Sequence, residues 1–69
     1  MRIQTPKDIG LIIYTTRKKQ KITQEHLAMI SGVGLRFIRE LERGKPTAQL
    51  EKSLHVLISL GLKLDIQGG

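Results

Sequence analysis

The segment that most constrains the fold of this chain spans residues 23–45, TQEHLAMISGVGLRFIRELERGK. A Gly-Val pair in its middle separates two stretches with helical periodicity. Gly32 is suited to end the first stretch because glycine adopts a positive φ without a Cβ penalty. Val33 is an apolar residue within the turn and is expected to fill a gap in the core, and Gly44 ends the second stretch. We therefore predict two short helices joined at a tight corner.

The second of these helices carries arginines on its outer side. Ile38 and Leu41, with Phe37 at the edge, are predicted to form its inner face. The outward side chains are then Leu35, Arg36, Arg39 and Glu40. Two helices at a tight corner, of which the second presents hydrogen-bond donors, form the layout of a helix-turn-helix, in which the second helix enters the DNA major groove.

Each outward side chain suits a contact with a base edge. Arg36 and Arg39 can offer guanidinium forks to O6 and N7 of guanine, Glu40 can accept from the amine of cytosine, and Leu35 can contact the methyl group of thymine. Phosphate contacts are predicted for side chains around this face: Lys21, Thr23, Gln24, Arg43 and Lys45. The alternative is that the arginines form a solvated charged face, but their placement on the helix after the turn favours DNA binding.

Arg17 and Glu42 have two possible roles. Arg17 can contact a phosphate, or it can form an ion pair with Glu42 that joins the first helix to the third. We favour the pair, because Glu42 beside a DNA-facing surface would repel phosphate unless a cation neutralised it. The two histidines, His26 and His55, are expected to be surface or interface side chains rather than metal ligands.

Capping signals and apolar spacing predict four helices. Thr5, Thr23 and Thr47 are suited to cap three of them, and Pro6 suits a first helical position. The expected helices run from Pro6 to about Lys18 or Lys19, from Thr23 to about Ile30 or Ser31, from about Leu35 to Arg43, and from about Ala48 to Leu60. On the fourth helix the expected inner stripe is Leu50, Leu54, Leu57 and Ile58.

The tail predicts a dimer. Residues 62–67 alternate apolar and polar side chains, which is the period of a β-strand. A lone strand in a helical domain has an unpaired edge, and pairing with the same strand of a second copy would cover it. On the fourth helix, two further apolar residues widen the stripe beyond what one small core requires. The predicted dimer interface is Val56, Leu60, Leu62, Leu64 and Ile66.

Composition bounds the class of protein. Sixty-nine residues with a net charge of +6 indicate one domain, residues 1–69, that binds a polyanion. Its helix-turn-helix motif spans residues 23–45 and its dimerisation region about 48–67. Without cysteine there is no thiolate metal site, and two histidines give little support for any other. With no metal-ligand spacing and no Gly-rich phosphate loop, neither a metal nor a cofactor is expected. We find no catalytic motif and expect no enzyme. Without an apolar leader or membrane span, we expect a cytoplasmic protein.

These residues resemble the Xre/Cro-type helix-turn-helix family, and within it the HipB-type antitoxin repressors. The resemblance rests on the TQE-LA segment, the Gly-Val turn, the run RFIRELERGKPT and the apolar tail LHVLISLGLKLDI, and it covers residues 9–66. It implies an all-α, lambda-repressor-like domain of four or five helices with a short C-terminal β-strand that pairs across a homodimer. In one departure, Gly34 stands where the family usually has Ser or Thr, so its capping hydroxyl is lost.

The resemblance also implies a function. Such proteins bind double-stranded DNA at a palindromic operator, repress their own operon and bind a HipA-like kinase toxin. The alternative is a protein-interaction module that mainly neutralises a toxin or another partner, with DNA binding secondary. RNA or an anionic membrane is a weaker possibility, because one Phe and one Tyr provide few aromatic rings for stacking.

Overall fold

The computed structural model describes residues 5–45 and 49–62, and this part of the chain forms four α-helices. They are α1 (Pro6–Lys19), α2 (Gln24–Ser31), α3 (Leu35–Glu42) and α4 (Leu50–Ser59). α3 packs against both α1 and α2, and α2 also packs against α4. The predicted all-helical architecture is confirmed. Of the predicted strand, residues 62–67, only Leu62 is described: it is not in a strand, its N–H donates to the Leu57 carbonyl oxygen at 2.9 Å, and its side chain packs against the core. The other residues of the predicted strand, including Leu64 and Ile66, lie outside the described residues.

The first two helices begin where their caps predicted. At α1, the Thr5 hydroxyl accepts a hydrogen bond from the Asp8 N–H at 3.3 Å. The Asp8 carboxylate accepts one from the Thr5 N–H at 3.1 Å, which completes a capping box. At α2, the Thr23 hydroxyl accepts from the His26 N–H at 3.0 Å. Backbone donors that a helix end leaves unpaired are thereby satisfied at both positions.

The last two helices begin without a side-chain cap. Gly34 precedes α3 and has no side-chain oxygen to accept a hydrogen bond. The fourth helix was predicted to begin at about Ala48, which lies outside the described residues, and α4 begins slightly later, at Leu50. Gln49 precedes it in an extended conformation (φ −66°, ψ 128°), which is incompatible with a helical turn at that residue. The predicted cap, Thr47, lies outside the described residues.

Each helix contributes one completely buried side chain to the centre of the core. These residues are Ile13, Leu27, Ile38 and Val56. Smaller contributions come from side chains that are nearly buried, among them Ala28, Leu41, Leu57 and Leu60. The turn residue Val33 packs against this cluster, as its apolar side chain predicted. The core therefore lies where all four helices meet.

The assignment of Val56 and Leu60 to a dimer interface was wrong. Their side chains are 0% and 3% exposed because they fill the core of their own chain, so they have no surface for a second copy. α4 instead exposes Leu50 and Ile58, which the sequence assigned to the inner stripe. The spacing of apolar residues on α4 permits two overlapping stripes, and packing against α2 buries the one that contains Val56, Leu57 and Leu60.

α1 crosses α3 in backbone contact at Gly10. A Cβ atom at Gly10 would lie 2.6 Å from the Leu41 carbonyl oxygen and 2.7 Å from the Glu42 carbonyl oxygen. Distances this short are inside the contact limit of carbon and oxygen. Only glycine therefore permits this crossing, and the crossing brings Arg17 of α1 to the end of α3.

Candidate nucleic-acid interface

The corner between α2 and α3 has the geometry that the Gly-Val pair predicted. Gly32 is left-handed, with φ +70° and ψ 29°, and it ends α2. The Val33 N–H donates to the Ala28 carbonyl oxygen at 3.1 Å, which pairs a carbonyl that the helix end would leave free. Gly34 is then extended, and α3 starts in a new direction. The turn therefore sets the angle of α3 against α2.

α3 has a buried side and a charged side. Ile38 is completely buried and Leu41 is 3% exposed, whereas Arg36 and Arg39 are exposed. Leu35 and Glu40 are half-buried at the edges of the exposed side. The predicted direction of the two arginines is thus confirmed, and the contacts of these four residues with bases stay predictions.

The Glu40 carboxylate joins two surface cations. The Arg36 Nε donates to its Oε1 at 3.2 Å, and the Lys45 Nζ donates to its Oε2 at 3.1 Å. The hydrogen bond from Lys45, with a further contribution from Arg36, holds the pKa of Glu40 below its ordinary value. Glu40 is therefore a carboxylate at neutral pH, placed between a predicted base-reading cation and a predicted phosphate-binding one.

Arg17 and Glu42 form the predicted ion pair. The Arg17 Nε and Nη2 donate to the two Glu42 carboxylate oxygens at 2.7 and 3.1 Å, and both side chains are less than 10% exposed. The third arginine nitrogen, Nη1, donates to the Ile22 carbonyl oxygen at 3.0 Å. Hydrogen bonding to Glu42 is the main cause that raises the pKa of Arg17. The pair fixes α1, the loop before α2 and the end of α3 to one another.

Glu42 also holds Gln24, the first residue of α2. The Gln24 Nε2 donates to the Glu42 Oε1 at 3.1 Å. A phosphate contact by Gln24 therefore requires either that the amide leaves Glu42 or that the backbone N–H at the helix N-terminus donates. The other predicted phosphate contacts, Lys21, Thr23, Arg43 and Lys45, are exposed.

Lys21 has a left-handed backbone. Its φ of +60° makes it the one non-glycine residue with positive φ in the described part of the chain. This conformation costs roughly 1–2 kcal/mol when a Cβ is present. Since Lys21 is exposed, the strain is not explained by packing of its side chain.

We expect Lys21→Gly to raise the free energy of unfolding by about 0.5–1 kcal/mol. Relief of the strain exceeds the added backbone entropy of glycine in the unfolded chain. Urea denaturation followed by circular dichroism measures the change. Lys19→Gly, at an exposed helical position of α1, is the control and should lower stability by roughly the same amount. Equal losses in the two variants would contradict the strain at Lys21.

Two polar side chains near this region were not singled out from the sequence. The Gln20 Nε2 donates to the Leu60 carbonyl oxygen at 2.8 Å and ties the end of α1 to the end of α4. Tyr14 lies beneath two cations, with its ring centroid 5.4 Å from Arg17 Cζ and 5.9 Å from Lys18 Nζ. The sequence contains a signal for the Tyr14 contacts, because Arg17 and Lys18 lie at i+3 and i+4 from Tyr14. It contains none for the Gln20–Leu60 hydrogen bond, which joins residues far apart in the chain.

The remaining expectations concern the histidines, a metal site and a membrane span. His26 on α2 and His55 on α4 are both exposed, as predicted. Within residues 5–45 and 49–62, no three His, Asp or Glu side chains are grouped so that they could hold a metal ion. Among the helices of these ranges, none combines the length and the apolar character that crossing a bilayer requires.

A relative of similar length decides the family. The chain is 55% identical over 65 residues to the uncharacterised HTH-type transcriptional regulator y4mF of Sinorhizobium fredii (strain NBRC 101917 / NGR234). The match covers 94% of this chain and 86% of the relative. The chain belongs to the HTH-type transcriptional regulators. No protein-family model matches this regulator.

Solved structures share the fold of this regulator. The chain in a HipB–O4 20mer complex superimposes with a TM-score of 0.89 at 22% sequence identity, over 99% of this chain and 96% of that chain. A structure described as MDT Protein gives the same TM-score, identity and coverage. At this identity the likeness concerns the fold alone.

Proposed function

We propose that this regulator binds double-stranded DNA sequence-specifically through α3 and represses transcription. The observation that carries the proposal is the exposure of Arg36 and Arg39 on the helix that follows the Gly32–Val33 corner. Membership of the HTH-type regulators supports it, as does the HipB neighbour, which was solved in complex with an O4 20mer. The net charge of +6 favours a polyanionic partner.

In this proposal the anchored side of α3 fixes the position of its charged side. Ile38 and Leu41 hold the helix to the core, and the bidentate Arg17–Glu42 pair holds its C-terminal end to α1. A rigid helix presents Arg36 and Arg39 in a defined geometry, which sequence discrimination requires. Exposed cations such as Lys21, Arg43 and Lys45 bind phosphates and set the register.

We further propose a homodimer on a palindromic operator. Two copies of α3 would then lie about 34–36 Å apart, one turn of DNA. The exposed Leu50 and Ile58 of α4 provide apolar surface for the contact, and the tail residues Leu64 and Ile66 remain part of the proposed strand. The resemblance to HipB-type repressors supports the pairing of the tails.

The finer proposal is that the protein is the antitoxin of a HipBA-like system and autoregulates its operon. Its partner would be a HipA-like kinase toxin. The resemblance and the HipB fold support this role. The alternative is a module that mainly binds a protein partner, and the exposed Met29 and Ile30 on α2 favour some protein contact. Charge reversal of Arg36 and Arg39 distinguishes the repressor from the interaction module. A module that mainly binds a protein would still bind its partner after this change.

Arg36→Ala is expected to cost roughly 1–3 kcal/mol of binding free energy on the preferred site and to relax the preference at one base position. A guanidinium that contacts one base sets the preference at that position alone, so its removal relaxes only that position. Selection of bound sites from a random duplex pool near physiological salt, beside the wild type, measures both effects.

Lys45→Ala is the contrasting variant, because loss of a phosphate contact weakens binding to all sequences alike. An inverted repeat with half-sites about one turn apart, selected by the wild type and lost in an Arg36→Ala, Arg39→Ala double variant, is the expected outcome. Unchanged affinity and unchanged preference in Arg36→Ala would show that α3 is not the recognition helix.

A further inference from the structure

We propose that Glu40 sets the sequence selectivity of α3 by competing with DNA phosphates for Arg36 and Lys45. The inference deepens the proposed function and depends on it. Its basis is the bridge in which one carboxylate accepts from Arg36 Nε at 3.2 Å and from Lys45 Nζ at 3.1 Å. Both cations belong to the surface predicted to contact DNA. In the free protein, both are engaged in hydrogen bonds to the Glu40 carboxylate.

The competition follows from the charge of Glu40. When a phosphate takes Lys45 or Arg36, the carboxylate loses a partner and faces a polyanion. Like charges brought together at an interface are unfavourable, and they discriminate against partners that offer no compensation. Binding through phosphates alone is therefore penalised on any sequence.

A matched site removes the penalty. In the major groove, cytosine N4 and adenine N6 are amino donors, and guanine O6 and N7 are acceptors. A site that offers an amino group to Glu40 and a neighbouring guanine to Arg36 replaces the intramolecular pair with two base contacts. Glu40 thus converts a general attraction for DNA into a preference for sites with that pair of base edges.

The second carboxylate of α3 cannot act in this way. The Glu42 side chain is only 6% exposed, and it accepts hydrogen bonds from Arg17, which is 8% exposed, and from Gln24. Glu40 is 28% exposed, and its partners Arg36 and Lys45 are 91% and 45% exposed. Two carboxylates separated by one residue therefore have different roles, of which the Glu42 role is structural.

Glu40→Gln tests the proposal, because it removes the charge and keeps the shape. Affinity is measured by fluorescence anisotropy on the selected operator and on a scrambled duplex of equal length, for wild type and variant. On the scrambled duplex we expect a gain of about three- to tenfold, because the freed cations become available to phosphates. The slope of log affinity against log salt should steepen by about 0.9, the value for one added phosphate contact.

The selected operator should respond differently. Glutamine cannot replace the carboxylate as an acceptor of the same strength, so affinity there should rise less or fall, and the ratio of operator to scrambled affinity should drop about tenfold. Glu40→Ala, which lacks the amide donor as well, should show the same loss of ratio. Glu51→Gln, an equal change of charge on the exposed start of α4, is the control and should preserve the ratio.

A second experiment tests whether Lys45 is the cation that Glu40→Gln makes available to phosphates. In a Lys45→Ala background the gain of Glu40→Gln on scrambled DNA should shrink by at least half. An unchanged affinity ratio in both Glu40 variants, or a gain no larger than that of Glu51→Gln, would overturn the proposal while leaving DNA binding intact. A wild type with equal affinity for operator and scrambled duplex would instead overturn the proposed function itself.

Discussion

Glu42→Ala is expected to lower the free energy of unfolding by about 3–5 kcal/mol, because it leaves a buried guanidinium without its counter-charge. Arg17 donates two hydrogen bonds to Glu42, and its side chain is 8% exposed. The amide of Gln24 loses its acceptor at the same time. A small core of this size supplies roughly 3–5 kcal/mol of net stability, so a large fraction of the variant should be unfolded at 25 °C.

Urea denaturation at neutral pH, followed by circular dichroism, measures the effect. Glu51→Ala removes an exposed carboxylate from α4 and is the control, with an expected change below about 1 kcal/mol. A double replacement, Arg17→Met with Glu42→Leu, should recover much of the loss, because neither charge then remains buried. A Glu42→Ala variant as stable as Glu51→Ala would show that the pair does not hold α1 to α3.

Gly10→Ala is expected to destabilise the fold by about 1–3 kcal/mol, although alanine is the better helix former. The added Cβ would meet backbone oxygens of Leu41 and Glu42 at 2.6 and 2.7 Å, and backbone atoms cannot rotate away as a side chain can. α1 would have to move outward from α3. That movement would also lengthen the Arg17–Glu42 contact, which depends on the same crossing.

Thermal unfolding provides the measurement, because 1 kcal/mol corresponds to roughly 4–8 °C in Tm for a domain of this size. Thr15→Ala places alanine at an exposed position of α1 by truncating the threonine, and it should leave Tm unchanged or slightly raised. A Tm for Gly10→Ala equal to that of Thr15→Ala would show that the two backbones do not touch.

The starts of α1 and α2 were predictable because their signals are local. Thr5 and Thr23 bond to N–H groups three residues away, so a few neighbouring residues contain the whole interaction. The start of α4 was placed too early. Gln49 is extended and no side chain caps the helix, so the decisive conformation has no local residue signal.

At the candidate interface too, features with a local sequence signal were predicted and features that depend on tertiary contacts were not. Helical periodicity was sufficient to place Arg36 and Arg39 on the side of α3 opposite Ile38. The Arg17–Glu42 pair was predicted from a charge argument combined with the resemblance. The Gln24–Glu42 hydrogen bond and the bridge from Glu40 to Lys45 were not predicted, because they depend on distances between segments that only the folded chain brings together.

By itself, the sequence determined the two helices around Gly32 and Val33 and the charged side of the second. Capping, turn geometry and 3.6-residue periodicity act within one or two turns, and a linear pattern records them completely. Tertiary structure alone decided which apolar stripe of α4 is buried and showed that position 10 requires glycine. Both depend on the neighbouring helix, α2 in one case and α3 in the other, since burial and backbone contact are properties of a pair of helices.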